Sequence, residues 1–225
     1  MKLQITLDTY SIEDCISLVR GIAESIDVVE VGTPLLLQVG MDAVTQVKSA
    51  FPDLEVLADT KIWHNGARIA DCAFEHGADM VTILAGATDR EVETVVAVAE
   101  QHGAKVAADM AGVEGLVQRS AELEDLGVSY LMVPSGLRRT DDSGDQDVFH
   151  RNTRAMGGKP LALVRNVMRG LSDSAEVAVV DNITLDNLDA VLRTHPGILL
   201  IGRSILAAED PAAAAAEFKR RMEES

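Results

Sequence analysis

The stretch Glu55-Val56-Leu57-Ala58-Asp59-Thr60-Lys61 shows how this chain is built. Its apolar first half, residues 55–58, predicts a short buried strand, and Asp59 and Lys61 follow at the carboxyl end. Side chains two positions apart on a strand share one face, so the two charges are expected side by side. An exposed salt bridge, worth about 0–1 kcal/mol, is one explanation. A functional site is the other.

The same pattern of a strand followed by a helix recurs along the chain. Residues 66–76 predict a helix that ends at His76-Gly77, where glycine takes a left-handed conformation. The other predicted strands cover residues 3–7, 28–31, 80–84, 105–108, 130–133, 176–180 and 198–201. The other predicted helices cover residues 12–24, 35–50, 88–102, 113–126, 160–171, 184–194 and 210–224.

About eight such units of roughly 25 residues predict parallel strands joined by right-handed crossovers. We therefore expect an α/β fold, a single (β/α)8 TIM barrel over residues 1–225. A doubly wound open sheet is the alternative, although no Gly-x-Gly-x-x-Gly follows the first strand. The regular pattern fails at about 134–150, which predicts a long loop insertion.

The net charge, the cysteine content and the lack of long apolar runs indicate which partners and which cellular compartment to expect. A net charge of −16 argues against nucleic acid or an anionic membrane as a partner. Cys15 and Cys72 lie within apolar helical patterns and are expected to be core residues in a reducing compartment. Without a signal peptide or a long apolar run in the sequence, we expect a cytoplasmic protein.

Polar residues follow almost every predicted strand. They are Asp8, Glu30, Asp59 with Lys61, Thr82, Asp109, Asp181 with Asn182, and Gly202 with Arg203. In a barrel these positions meet at the face that carries the chemistry. Three carboxylates around one lysine would raise each other's pKa unless a further cation is present. Mg²⁺ held by Glu30 and Asp59 would supply that charge.

Gly202-Arg203-Ser204 follows the last predicted strand, where barrels often bind phosphate through backbone N–H groups and a short helix. The guanidinium of Arg203 suits the geometry of a phosphate. An ion pair with a surface acid such as Glu209 is the alternative. An ionised Asp181 would repel a phosphate placed beside it.

These residues carry a resemblance to a known family. Asp8 and four motifs look like the orotidine 5′-phosphate decarboxylase superfamily, over nearly the whole chain. The motifs are Glu30-Val31-Gly32-Thr33-Pro34, Ala58-Asp59-Thr60-Lys61, Gly77-Ala78-Asp79-Met80-Val81-Thr82, and Ile201-Gly202-Arg203-Ser204 before Asp210-Pro211. Within the superfamily the chain resembles 3-hexulose-6-phosphate synthases and 3-keto-L-gulonate-6-phosphate decarboxylases.

The resemblance implies a homodimeric barrel, with active sites at the subunit interface, that stabilises an enediolate beside Mg²⁺. It implies that Glu30 and Asp59 bind the metal, and that Asp8 and Lys61 contact the substrate. Arg203 corresponds to the residue that binds the substrate's phosphate. We expect Asn182 and Gly202 to contribute beside it.

The chain departs from the family pattern at three places. His64 stands where the family's Asp-x-Lys-x-x-Asp motif has its second aspartate, and it could act as an acid or base near pH 7. Asp181-Asn182 replaces a phosphate-binding Gly-Gly. Pro134 replaces a histidine after the sixth strand. His150 and Arg154 follow an insertion of roughly fifteen residues and could return to the site in a displaced family loop; solvated loop charges are the alternative.

The preferred hypothesis is a Mg²⁺-dependent carbon–carbon lyase that acts on a sugar phosphate through an enediolate, as a hexulose-6-phosphate synthase-like aldolase. The alternatives are a 3-keto-L-gulonate-6-phosphate decarboxylase-like enzyme, the same scaffold with another substrate, and a catalytically silent protein that binds a metabolite or partner.

Overall fold

The computed structural model of this chain is a closed barrel of eight parallel strands, with the order β1 to β8 around the barrel. It describes residues 1–8, 11–137, 159–172 and 174–225. The strands are β1 Lys2–Leu7, β2 Val28–Val31, β3 Glu55–Ile62, β4 Met80–Leu84, β5 Lys105–Asp109, β6 Tyr130–Pro134, β7 Glu176–Val180 and β8 Ile198–Leu200. The predicted TIM barrel is thus confirmed.

Helices connect the strands on the outside of the barrel. They are α1 Ile12–Ile22, α2 Thr33–Val39, α3 Asp42–Ala50, α4 Gly66–Glu75, α5 Asp89–His102, α6 Leu116–Asp125, α7 Ala162–Gly170, α8 Leu188–Leu192, α9 Arg203–Leu206 and α10 Pro211–Glu223, with a 3-10 turn at Ala23–Ser25. Among the described residues, none of these helices is long and apolar enough to cross a membrane.

Two apolar cores follow from the alternation of side chains along each strand. The larger one lies between the sheet and the helices. The smaller one fills the barrel interior and consists of Val28, Leu57, Met80, Ala107, Tyr130, Met132, Ala178 and Ile198. Glu30 pairs in register with Leu57, so Asp59, two residues further along β3, lies closer to the carboxyl-terminal face. The smaller apolar core therefore lies beneath a layer of polar side chains, which includes Glu30 and Asp59, at the carboxyl-terminal end of the barrel.

The amino-terminal mouth of the barrel is closed by a separate polar cluster. Lys2 Nζ lies 2.8 Å from Glu55 Oε2, and Lys105 Nζ lies 3.2 Å from the Tyr130 hydroxyl. Both ammonium groups also lie over the Tyr130 ring, at 6.0 and 5.4 Å from its centroid. These contacts pair the charges of Lys2, Glu55 and Lys105 at the amino-terminal face of the barrel. In TIM barrels the residues of this face usually contribute to stability rather than to catalysis.

Several predicted boundaries were wrong for local reasons. The single helix predicted over residues 35–50 is two helices, because Gly40 adopts a φ of +80° between them. Gly77, in contrast, has the expected positive φ of +95° after α4. Pro160 is outside the helix that it was expected to begin, since α7 starts at Ala162 and Leu161 precedes it with a φ of +62°.

The third strand does not end at Ala58. β3 continues to Ile62, and its pairing with β4 changes register between Ala58 and Ile62. The sixth strand includes Pro134, so the chain leaves the barrel one residue later than predicted. Most of the predicted insertion at about 134–150 lies outside the described residues.

Candidate active site

A cavity of about 650 Å³ opens at the carboxyl-terminal end of the barrel. Its charged lining consists of Asp8, Glu30, Asp59, Lys61, Asp109 and Asp181. Among the described lining residues, five carboxylates therefore share this cavity with one ammonium group. Such an excess of like charge in a concave, partly dry space raises carboxylate pKa values and favours the uptake of a cation.

Asp59 is fixed by hydrogen bonds from the first residue of α2 and from the middle of β4. The Thr33 hydroxyl donates to its Oδ2 at 2.7 Å, and the Thr82 hydroxyl donates to its Oδ1 at 2.8 Å. The Asp59 side chain is only 6% exposed. Because both oxygens are held, the carboxylate has one defined orientation toward the cavity.

Lys61 bridges two carboxylates from different strands. Its Nζ lies 3.1 Å from Asp59 Oδ2 and 3.0 Å from Asp109 Oδ2. Its backbone has a positive φ of +44° within the irregular part of β3, and its N–H donates to Thr82 Oγ1 at 2.8 Å. Burial lowers the pKa of Lys61, but the two carboxylates raise it more, so the ammonium stays charged. Its side chain remains 42% exposed and open to a ligand.

Glu30 is the most deeply buried acid of the cavity. Its side chain accepts a hydrogen bond from Gln4 Nε2 at 2.8 Å, and Gln4 is itself buried. Burial raises the pKa of Glu30 to about 8, and repulsion from Asp59 and Asp8 adds to this effect. Glu30 is thus largely protonated near neutral pH unless a cation approaches it.

Asp8 lies at the end of β1, closely packed against Gly32. A Cβ at Gly32 would lie 2.8 Å from the Leu7 carbonyl oxygen and would overlap the Asp8 carboxylate. Burial raises the pKa of Asp8, and repulsion from Asp59 raises it further. The absence of a side chain at position 32 therefore leaves room for an acid that faces the other carboxylates.

The residues present fit a Mg²⁺ ion bound through two carboxylates. Within the described part of the chain, no three His, Cys, Asp or Glu side chains are grouped closely enough to hold a metal ion by themselves. Mg²⁺ usually keeps several waters and binds through one or two carboxylates plus substrate oxygens. Glu30 and Asp59 could supply those carboxylates, and the raised pKa of Glu30 reports a shortage of positive charge beside it.

The expected phosphate-binding residues Asn182, Gly202 and Arg203 lie on two loops and are not among the described lining residues of the cavity. Asn182 donates from Nδ2 to the Leu137 carbonyl oxygen at 2.9 Å, so its amide is occupied by the protein. Asp181, its neighbour, lines the cavity. Gly202 precedes α9, and Arg203, the first residue of that helix, is exposed. No described residue forms an ion pair with Arg203, and this includes Glu209.

His64 is exposed on the loop between β3 and α4 and does not line the cavity of its own chain. His150 and Arg154 lie outside the described residues. Asp109 and Thr82 were among the residues expected to meet at this face, and the structure shows them as partners of Lys61 and Asp59. The structure adds Thr33, which no sequence signal pairs with Asp59.

The comparisons with known proteins agree with this geometry. The profile of the "Orotidine 5'-phosphate decarboxylase / HUMPS family" matches residues 1–218. A 3-hexulose-6-phosphate synthase of Bacillus subtilis (strain 168) is 33% identical over 220 residues, which cover 98% of each chain.

Solved structures extend the comparison to the fold. The crystal structure of 3-hexulose-6-phosphate synthase from Salmonella typhimurium superposes with a TM-score of 0.85 at 28% identity, covering 100% of this chain and 99% of that one. The crystal structure of KGPDC from Streptococcus mutans gives 0.83 at 25% identity, covering 99% and 97%. The chain therefore belongs to the orotidine 5′-phosphate decarboxylase / HUMPS family and, like these relatives, is a lyase.

Proposed function

We propose that this protein joins formaldehyde to ribulose 5-phosphate in an aldol reaction, as a 3-hexulose-6-phosphate synthase. The observation that carries the proposal is the group of Asp8, Glu30, Asp59 and Lys61 in one cavity at the carboxyl-terminal face. Relatives that bear the synthase name match the chain over almost its full length.

The chemistry needs a site that tolerates negative charge on the substrate. A carboxylate of the cavity takes a proton from C1 of ribulose 5-phosphate, and the electron pair of the broken C–H bond moves toward the C2 carbonyl oxygen as an enediolate. C1 then attacks the carbon of formaldehyde, whose oxygen becomes an alkoxide and takes up a proton. Lys61 presents a fixed ammonium to the developing oxygen charge, and Asp8 accepts a hydrogen bond from a substrate hydroxyl. A preorganised donor of this kind contributes about 3–4 kcal/mol to the transition state.

Mg²⁺ is part of the proposal, with Glu30 and Asp59 as its protein ligands. When bound, the ion would supply positive charge next to the substrate oxygens. Gln4 would hold Glu30 in place, and Thr33 and Thr82 would hold Asp59. The chain's own contribution is to fix both carboxylates before a ligand arrives.

The phosphate is proposed to bind at Arg203 with the backbone of Gly202 and Asn182. Support comes from the exposed guanidinium at the start of α9, which no described acid neutralises. Asp181 precedes Asn182 in the chain, but it lines the cavity and interacts electrostatically with Asp109 and Lys61, whereas Arg203 is not among the described lining residues.

We also propose a homodimer with active sites at the interface, in the cytoplasm. Leu37 and Trp63 are 83% and 59% exposed, and Leu37 lines the cavity. Trp63 borders a second groove of about 530 Å³ beside the loops that follow β4 and β5. Large apolar side chains exposed to solvent are often part of association surfaces. His64, next to Trp63, would then face the cavity of the second copy.

The direct test mixes the purified protein with Mg²⁺, formaldehyde and ribulose 5-phosphate and detects the hexulose 6-phosphate by NMR. Lys61→Met should abolish turnover, whereas Glu209→Gln, an exposed change near α9, should leave it intact. A separate assay with 3-keto-L-gulonate 6-phosphate tests the decarboxylase alternative, which the likeness to KGPDC favours. A folded wild-type protein that converts neither substrate would refute both assignments.

A further inference from the structure

Asp181 is the acid of the cavity that the proposed reaction has not yet used. It enters from the end of β7, on the wall made by β6, β7 and β8. The other described lining residues of that wall are apolar: Met132, Pro134, Val180 and Leu200. Within the described lining, Asp181 is thus the one group on this wall that can exchange a proton.

The backbone at Asp181 has a conformation that side-chain-bearing residues rarely adopt. Asp181 and Asn182 have φ values of +70° and +53°. Such strained residues cluster at functional sites when the surroundings hold them in place. Here glycine would be the unstrained choice, so the chain keeps an aspartate at a conformational cost.

Hydrogen bonds from three neighbouring residues hold this turn. The Ser135 hydroxyl donates to the Asp181 carbonyl oxygen at 2.6 Å. Asn187 Nδ2 donates to the Asn182 carbonyl oxygen, and Asn182 Nδ2 donates to Leu137, both at 2.9 Å. All of these bonds involve backbone carbonyls or neighbouring amides, so they fix the turn and leave the Asp181 carboxyl to the cavity.

The Asp181 carboxyl differs from those of Asp59 and Asp109 in its hydrogen-bond and ion-pair partners. Asp109 binds Lys61 and accepts the Ala111 N–H at 2.9 Å, and Asp59 binds Lys61 and two threonines. No described residue donates a hydrogen bond or forms an ion pair with the Asp181 side chain. Asp181 is exposed to the open cavity, but partial desolvation by the surrounding protein raises its pKa, repulsion from Asp109 raises it further, and Lys61 opposes both. This carboxyl is therefore suited to carrying a proton rather than to neutralising a fixed charge.

We infer that Asp181 is a catalytic acid–base residue that protonates the oxygen derived from formaldehyde; this rests on the proposed aldol function. When C1 attacks formaldehyde, the carbonyl π pair moves to oxygen, and the Asp181 O–H bond breaks to form the product hydroxyl. The carboxylate that took the C1 proton releases it to solvent, and solvent in the open cavity returns one proton to Asp181, so the cycle closes with no net gain or loss of protons. In the reverse direction the carboxylate takes that proton back.

The assignment separates two half-reactions that can be measured independently. Exchange of the C1 hydrogens of ribulose 5-phosphate with D₂O, followed by NMR without formaldehyde, reports only the first proton removal. Formation of the hexulose phosphate needs the later protonation as well. A group that acts at the formaldehyde oxygen alone is required for the second measurement and not for the first.

The experiment compares wild-type protein, Asp181→Asn, Asp181→Gly and the control Asp186→Asn, an exposed change on the same loop. Asp181→Asn should lower kcat for synthesis by about 10²–10⁴-fold. Its KM should be unchanged, since the amide replaces a protonated carboxyl of similar size and both are neutral, and its C1 exchange should stay within about threefold of the wild-type rate. Asp181→Gly should lose synthesis equally while unfolding at the same or a higher temperature, because glycine relieves the positive φ.

The other possible outcomes would refute either the acid–base role of Asp181 or the proposed aldol function. Wild-type synthesis rates in Asp181→Asn, or equal losses of exchange and synthesis, would overturn the acid–base assignment while leaving the aldol function standing. A wild-type protein that neither exchanges C1 hydrogens nor forms product would overturn the proposed function and this assignment with it.

Discussion

Glu30 makes the stability of the metal-free protein fall as the pH rises. Its pKa is raised from 4.5 to about 8 by burial and by repulsion from Asp59 and Asp8. The unfolded chain ionises Glu30 near its ordinary value, so between these two values the folded state binds more protons. The stability that protonated Glu30 contributes is therefore fully present below about pH 4.5 and is lost as the pH rises through about 8.

The size of this effect follows from the same shift. One pKa unit corresponds to about 1.36 kcal/mol, so the full shift from 4.5 to about 8 is worth at most about 5 kcal/mol. Between pH 6 and pH 8 the free energy of unfolding should fall by about 2 kcal/mol through Glu30 alone. That is a large share of the total stability of an ordinary domain.

Urea unfolding followed by far-ultraviolet circular dichroism in EDTA, at pH 6, 7 and 8, measures this loss. Glu30→Gln keeps the shape of the side chain but cannot ionise. Between pH 6 and pH 8 the free energy of unfolding of this variant should therefore fall by about 2 kcal/mol less than that of the wild type. Glu209→Gln, an exposed control, should follow the wild type. If Glu30→Gln loses as much stability as the wild type between pH 6 and 8, Glu30 is not protonated in the folded state and the reasoning fails.

Three further changes test other contacts of the site. Asp109→Asn removes one of two anionic partners of Lys61 and should lower kcat by about tenfold, measured in the synthase assay; an unchanged kcat would show that Asp59 alone positions the ammonium. Thr82→Val leaves Asp59 with one hydroxyl donor fewer and the Lys61 N–H without its acceptor, and should cost about 1–3 kcal/mol in urea unfolding; Thr94→Val, a half-buried change on α5 that removes one hydrogen bond to the Arg90 carbonyl, is the comparison and should cost less. Trp63→Asp should convert the proposed dimer to a monomer in sedimentation equilibrium, and a wild-type monomer would refute the dimer directly.

The barrel could be predicted from sequence because its signals are local. Apolar runs alternate with helical patterns, and a glycine such as Gly77 ends its helix where expected. The errors came from single residues with context-dependent backbone geometry. Gly40 splits a helix that periodicity alone makes continuous, and the bulged end of β3 extends the strand past Asp59. Neither the helix break at Gly40 nor the bulge in β3 can be recognised from the spacing of hydrophobic residues in the sequence.

The candidate site could be predicted only in part, because most of its ion pairs and hydrogen bonds join residues on different strands or helices that are far apart in the sequence. Strand-end positions identified the acids that meet in the cavity, but Lys61 and Asp109 are 48 residues apart. Their contact depends on the closed geometry and on the positive φ of Lys61. The inward placement of Asp181 likewise depends on a turn held by Ser135, which no local pattern predicts.

The balance of charge in the cavity explains why substrate and cation should bind together. Five acids and one ammonium would repel an anionic sugar phosphate if all were ionised. The apo protein reduces that repulsion by keeping Glu30 protonated. A divalent cation at Glu30 and Asp59 would displace that proton and supply a larger compensating charge next to the reacting carbons. The phosphate, at the far end of the substrate, would meet Arg203 instead. On this reasoning the five described acids have different partners: Asp59 and Asp109 hold Lys61, Glu30 would bind the cation, and the raised pKa of Asp181 would favour its role as a proton donor.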